Sequence, residues 1–133
     1  MKIADLMQAP VRAIAPDVAV AEVVETLADL HVSALPVVDT AGRMIGIVSS
    51  TDVLTAEAEA DDESAREILL EESTARDIMT AQPFTIAPDA DVREAARQML
   101  YADVHRLFVV QDDSLVGVIS TTDIVRAVAT GQI

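Results

Sequence analysis

Apolar positions along the chain fall into one pattern that is written twice. In the first half, Val20, Val23, Val24, Leu27 and Leu30 recur at three- and four-residue spacing, which predicts a helix with one buried face. The apolar run Ala34–Val38 follows, closed by the polar turn Asp39-Thr40-Ala41-Gly42 and a second run, Met44–Val48. Two short apolar runs joined by a polar turn predict a hairpin of buried strands. In the second half, Val92, Ala95, Ala96 and Met99 repeat the helical spacing, and Leu107–Val110 and Leu115–Ile119, joined through Asp112-Asp113-Ser114, repeat the hairpin. Upstream of each helix, Pro16 and Pro88 close extended stretches, because the residue before a proline is pushed toward the β region. Asp5-Leu6-Met7 and Asp77-Ile78-Met79 predict short helical entries. Each half therefore reads strand, helix, strand, strand, helix. The predicted class is a mixed α/β (α+β) fold of two pseudo-symmetric repeats packed as one module.

The repetition is literal at several points. Ile14-Ala15-Pro16-Asp17 returns 72 residues later as Ile86-Ala87-Pro88-Asp89, and Leu35-Pro36-Val37-Val38 returns at the same offset as Leu107-Phe108-Val109-Val110. Gly46–Asp52 returns as Gly117–Asp123 at an offset of 71, so one residue is missing from the second hairpin's turn. A period this long corresponds to one structural unit per copy, and paired units build clefts. The expected divisions are 1–60 for the first repeat, 61–73 for an acidic helical linker and 74–133 for the second repeat. Within this scheme Ala56–Glu72 reads as the end of a helix and then a solvated linker helix, whose charge run requires no function; an adaptor surface for a basic partner is the alternative.

Composition narrows the possibilities. Half the residues are apolar, with no Trp, one Tyr and two Phe, so the core is aliphatic and lacks stacking platforms. A formal charge of −14 repels nucleic acid and anionic lipid. The acidity itself reads as a solubility feature rather than an acidic docking surface. The absence of Cys excludes disulfides and thiolate metal sites. The acidic start and the lack of a long apolar run argue against a signal peptide or a membrane span, so a soluble, cytoplasmic protein is expected.

Three features carry candidate chemistry. The first is Gly-hydrophobic-hydrophobic-Ser-x-Thr-Asp, at Gly46–Asp52 and Gly117–Asp123. Ser49 or Ser120 can cap a helix, and a carboxylate three residues on favours its N-terminus. The same groups suit a ligand: an ionised Asp52 or Asp123 accepts two O–H donors of a vicinal diol, while Ser and Thr hydroxyls beside free helix amides suit phosphate. The second is the strand entry, Val32-Ser33-Ala34-Leu35-Pro36 and Val104-His105-Arg106-Leu107-Phe108. Pro36 belongs at a strand edge, and free edge groups beside aliphatic side chains suit a planar heterocycle; for Leu35, Val37 and Val38 core packing suffices. The third is His105-Arg106, a cationic pair in a chain with nine Lys and Arg, which suits a phosphate clamp where the first copy has Ser33-Ala34. Catalytic constellations are missing. His31 and His105 lack a nucleophile in any recognised motif, and there is no HExxH pair, Walker loop or GxGxxG. A non-enzymatic protein is expected.

Taken together, Asp5-Leu6-Met7, Asp77-Ile78-Met79, the segments His31–Asp39 and Val104–Val110 and both Gly-to-Asp blocks resemble a tandem pair of CBS domains, the cystathionine-β-synthase-type modules, arranged as a stand-alone Bateman module. The resemblance spans the chain apart from the acidic linker and the last few residues. The second half is especially similar to the nucleotide-sensing γ subunit of AMP-activated protein kinase, through Val104-His105-Arg106-Leu107 and Ser120-Thr121-Thr122-Asp123. The resemblance implies a regulatory, adenosine-binding module with two clefts between the repeats. In each, the motif Asp holds ribose hydroxyls, Ser, Thr and basic residues hold phosphate, and the partner repeat's strand entry covers adenine. One implied cleft joins Asp123, Thr122, Ser120 and His105 with Ile14, Val20, Val32, Ser33 and Ala34. The other joins Asp52, Thr51 and Ser49 with Thr85, Ile86, Val92, Val104 and Arg106. Arg12 is the one further cation near a phosphate end, and this scarcity favours AMP over ADP or ATP. S-adenosylmethionine, whose sulfonium suits an acidic protein, is the alternative ligand. No obligatory cofactor and no metal are expected. Family modules pair through their helices, so a homodimer is expected, and a ligand-free dimerisation or interaction module is the rival to a sensor.

Overall fold

Both predicted hairpins form, each at the centre of its own unit. The structure is a computed structural model that describes residues 1–81 and 84–133. In chain order the elements are α1 (Ile3–Leu6), α2 (Val20–Leu30), β1 (Ala34–Val38), β2 (Met44–Ser49), α3 (Ser50–Glu59), α4 (Glu63–Glu71) and α5 (Ala75–Ile78). They continue with β3 (Thr80–Ala81), β4 (Thr85–Ile86), α6 (Val92–Ala102), β5 (Arg106–Gln111), β6 (Ser114–Ser120) and α7 (Thr121–Ala129). One compact unit is Arg12–Pro83; the other joins Met1–Val11 to Phe84–Ile133.

In the unit Arg12–Pro83 the sheet order is β1-β2-β3, with both pairings antiparallel. The first predicted strand is reduced to one bridge, Ile14 parallel to Val37. There the Ile14 N–H donates to the Pro36 carbonyl at 3.0 Å and the Val38 N–H to the Ile14 carbonyl at 2.9 Å. The N–H that Pro36 lacks would face this same margin, which is where a strand tolerates proline. Ile14, Val23, Leu27, Leu35, Val37, Val48 and Ala75 form the core. Helix α2 starts on Ala19, which offers no side-chain cap. Its start is held by backbone instead. The Val20 N–H donates to the Ser73 carbonyl at 3.0 Å, and the Ala75 and Arg76 N–H groups donate to the Val18 and Pro16 carbonyls at 2.8 and 2.9 Å. It ends at His31, whose left-handed backbone (φ 53°) returns its N–H to the last turn, so this histidine is a helix terminator. The acidic segment divides into the end of α3 and a separate helix, α4. The latter is capped by the Asp62 carboxylate accepting the Ala65 N–H at 2.8 Å, and it packs against α2 and α3.

The second unit repeats the plan. Its sheet order is β4-β5-β6, with β4 parallel to β5 and β5 antiparallel to β6, and Gln8 bridges the outer edge at Val118. Asp112 and Asp113 both have positive φ (51° and 66°), as a two-residue hairpin turn requires. The core is Ile3, Ile86, Val92, Ala95, Met99, Leu107, Val109 and Ile119. The start of α6 is held by the N-terminal residues: the Val92 N–H donates to the Met1 carbonyl, and the Ile3 and Ala4 N–H groups donate to the Ala90 and Pro88 carbonyls, all at 2.9 Å. Asp103, φ 54°, ends α6 as His31 ends α2. The packing units therefore exchange their entry segments relative to the sequence period: α1 packs with the second half, and α5 with the first. Among the described residues, no helix is long and apolar enough to cross a membrane.

Candidate functional site

The repeated Gly-to-Asp block runs down β2 into α3 and down β6 into α7. Gly46 and Gly117 are buried in mid-strand, and each accepts a close neighbour. A Cβ at Gly46 would lie 2.6 Å from Met79 Sδ and 3.0 Å from the Thr80 carbonyl oxygen. At Gly117 the same distances, 2.6 and 3.0 Å, apply to Met7 Sδ and the Gln8 carbonyl oxygen. The missing side chain lets the stretch after each entry helix lie flat on the strand that leads to the aspartate.

At the strand ends both serines cap their helices. The Asp52 N–H donates to Ser49 Oγ at 3.1 Å, while Asp52 Oδ2 accepts from the Ser49 N–H at 2.8 Å and from its hydroxyl at 3.0 Å. In the second unit, the Asp123 N–H donates to Ser120 Oγ at 3.2 Å, and Asp123 Oδ2 accepts from the Ser120 N–H and hydroxyl at 2.8 and 2.9 Å. The capping role is thus realised in full, and it occupies one oxygen of each carboxylate. The other oxygen faces a different neighbour in each unit. Asp52 Oδ1 accepts from the Thr80 hydroxyl at 3.1 Å. Asp123 Oδ1 accepts from Gln8 Nε2 at 2.9 Å, with Arg126 Nη1 at 3.9 Å. Asp123 is 6% exposed, whereas Asp52 is half-buried.

The strand entries come to the same ends. Ala34 lies opposite Ser49, and the Ser33 carbonyl accepts from the Ser50 N–H at 2.8 Å. Arg106 lies opposite Ser120, and the His105 carbonyl accepts from the Thr121 N–H at 2.9 Å. Each unit therefore gathers its own strand entry and its own Ser-x-Thr-Asp turn. His105, Thr51, Thr122, Ser33 and Arg12 are exposed; Arg106, Thr85, Val32, Val104 and Ala34 are half-buried. Ile14, Val20, Ile86 and Val92 are buried, so their side chains act first as packing groups. The two clefts implied by the resemblance each combine residues of both units. Gln8 and Thr80 were not among the expected site residues. Their signal was the fourth position of Asp5-Leu6-Met7-Gln8 and Asp77-Ile78-Met79-Thr80, where the two copies diverge. No group of three or more His, Cys, Asp or Glu able to hold a metal ion occurs among the described residues.

The family model for the CBS domain matches twice, over residues 3–59 and 75–130. The chain belongs to the CBS-domain family. Among curated relatives, it is 24% identical over 127 residues to homoserine O-acetyltransferase of Methanohalobium evestigatum, covering 95% of this chain and 24% of that protein. The chain spans about a quarter or less of the length of the first curated relatives it matches, which include an inosine-5'-monophosphate dehydrogenase. Solved CBS pairs match end to end. CBSX2 in complex with AMP superposes with a TM-score of 0.83 at 26% identity, over 99% of this chain and 98% of that one. The CBS domain pair of protein MJ0100, in complex with 5'-methylthioadenosine and S-adenosyl-L-methionine, gives 0.79 at 25% identity over 100% and 98%.

Proposed function

We propose that this CBS pair is a non-catalytic regulatory module that binds adenosine ligands, AMP foremost, in clefts built from both repeats. The end-to-end likeness to an AMP-bound CBS pair carries the reading. The site residues support it locally, since each motif carboxylate keeps one oxygen outside its capping box, directed at a polar side chain and not at apolar core. In this reading Asp123, Ser120, Thr122 and His105 work with Ile14, Val20, Val32, Ser33 and Ala34. Asp52, Ser49 and Thr51 work with Thr85, Ile86, Val92, Val104 and Arg106, and Arg12 adds a cation at a phosphate end. Ribose hydroxyls donate to the carboxylates, adenine lies against the aliphatic strand entries, and phosphate meets hydroxyls, helix amides and cations. Nine basic residues against 23 acidic ones favour a monophosphate over ATP. A ligand held by both repeats stabilises one arrangement of them and shifts the population toward it. Isothermal titration calorimetry with AMP, ADP, ATP and S-adenosylmethionine tests this on the wild type, Asp52→Ala and Asp123→Ala. Binding by the wild type and weakening in each variant is expected; no binding by any of the four removes the reading.

The partner that fits the helices is a second copy of the chain. Leu54 on α3 is 67% exposed, and Leu100 and Tyr101 on α6 are 84% and 90% exposed, unusually high for side chains of this size. Val24, Leu27, Ala28, Val32, Val53 and Leu54 line an apolar groove of about 320 Å³ between α2 and α3.

A further inference from the structure

We infer that Gln8 is a latch on Asp123 that makes the two carboxylate seats unequal, so that a ribose diol enters the Asp52 seat freely and the Asp123 seat only by displacing an amide. The inference rests on the adenosine reading and concerns how that site is regulated.

A carboxylate has about four lone-pair positions. In both units Oδ2 already accepts two bonds from its own serine, so the two O–H groups of a diol need both positions on Oδ1, one of which is already taken. The occupants of Oδ1 differ in kind. Thr80 presents a hydroxyl at 3.1 Å, from an exposed side chain. A hydroxyl can turn away to water, or accept a ribose O–H itself, so it does not close the seat. Gln8, exposed like Thr80, presents Nε2 at 2.9 Å, a donor with no accepting capacity, to a carboxylate that is 6% exposed, so the difference between the seats lies in the donor and in the burial of the carboxylate. Rotating the amide would set its oxygen against the carboxylate, so only withdrawal of the side chain frees Oδ1. The backbone is fixed at both positions, Thr80 by pairing with Ile47 and Gln8 by its N–H donating to the Val118 carbonyl at 2.8 Å and its carbonyl accepting from the Val118 N–H at 3.0 Å, so the side chain alone must move. Gly117 keeps that segment pressed to the strand. Arg126, 3.9 Å from the same oxygen, adds a cation beside the seat. Gln8 and Thr80 are 72 residues apart, the period of the repeat, so one position has been given opposite behaviour in the two copies.

The test exchanges the two residues. Asp52→Ala isolates the Asp123 seat, and in that background Gln8→Thr is expected to tighten AMP or S-adenosylmethionine about fivefold by calorimetry, the scale of one lost competing hydrogen bond. The reciprocal Thr80→Gln, in the Asp123→Ala background, weakens the Asp52 seat by a similar factor. The gain is absent for 2',3'-dideoxy-AMP, which has no diol to seat. Gln8→Thr also lowers the melting temperature slightly. Tighter binding with lower stability is the opposite of what loss of a merely structural contact gives. If the wild type binds AMP or S-adenosylmethionine and Gln8→Thr leaves affinity unchanged or weaker, the latch is wrong and the adenosine reading stands. If the wild type binds neither of these nor ADP or ATP, both fall.

Discussion

A methyl group added at Gly117 would lie 2.6 Å from Met7 Sδ and 3.0 Å from the Gln8 carbonyl oxygen. The thioether can swing aside, but the carbonyl is fixed by its bond to Val118. Gly117→Ala is therefore expected to destabilise the fold by roughly 1–3 kcal/mol, the usual range for overpacking, and Met7→Ala in the same chain should restore only part of it. Urea unfolding of the single and double variants checks this; full rescue would mean that sulfur alone sets the cost. The glycine, the serine and the aspartate were all legible in the sequence because they repeat. What the free oxygen of each aspartate meets was not. Gln8 reaches Asp123 across 115 residues and Thr80 reaches Asp52 across 28. No local spacing encodes a contact of that separation.

Elements with strong periodicity formed where the pattern put them. The run Ala34–Val38 is β1 to the residue, and α2 and α6 bury most of the predicted face, through Val20, Val23 and Leu27 and through Val92, Ala95 and Met99, while Val24 and Ala96 are half-buried and Leu30, in the last turn of α2, is exposed. The short edge elements, β3 and the bridges at Gln8 and Ile14, have too few residues to show a period, and tertiary pairing alone defines them. The first hairpin turn carries a titratable hold. Asp39 Oδ1 accepts from the Ala41 and Arg43 N–H groups at 2.9 and 3.0 Å, and Oδ2 pairs with Arg43 Nε at 3.0 Å. These bonds, the Arg43 backbone bond foremost, hold its carboxyl below the ordinary 3.8. Asp91, bonded by the Arg93 N–H at the start of α6, is lowered likewise. A lowered native pKa means that the charged form is preferred in the fold. The stabilisation is complete above the unfolded pKa and is lost as the pH falls through the native one. Asp39→Asn is thus expected to lose less stability than the wild type between about pH 5 and about pH 2, and to be the less stable of the two near neutrality. Urea midpoints across that range decide it; parallel acid losses in both proteins would show that the turn makes no contribution.

At the scale of the molecule, the period told which segments are equivalent but not which copy each packs with, and the exchange of α1 and α5 between units was invisible for that reason. Charge is distributed just as unevenly. The unit Arg12–Pro83 holds fifteen acidic and four basic residues, and the other holds eight and five. On the helices with exposed apolar residues the contrast is sharper. Helices α2 and α3 carry Glu22, Glu25, Asp29, Asp52, Glu57 and Glu59 and no cation, whereas α6 and α7 carry Arg93, Arg97 and Arg126 beside Glu94 and Asp123. Two copies meeting through α2 and α3 alone would set six carboxylates against six. Meeting α6 and α7 of the second copy instead sets three guanidinium groups against them while covering Leu100, Tyr101 and Leu54. The proposed homodimer is therefore expected to join unlike faces. Sedimentation at micromolar concentration should show a dimer that weakens as salt rises, and both Arg97→Glu and Tyr101→Asp should weaken it further. A strict monomer would remove the dimer. A dimer that tightens with salt would mean that like faces meet, because screening relieves repulsion between charges of one sign and diminishes attraction between opposite ones.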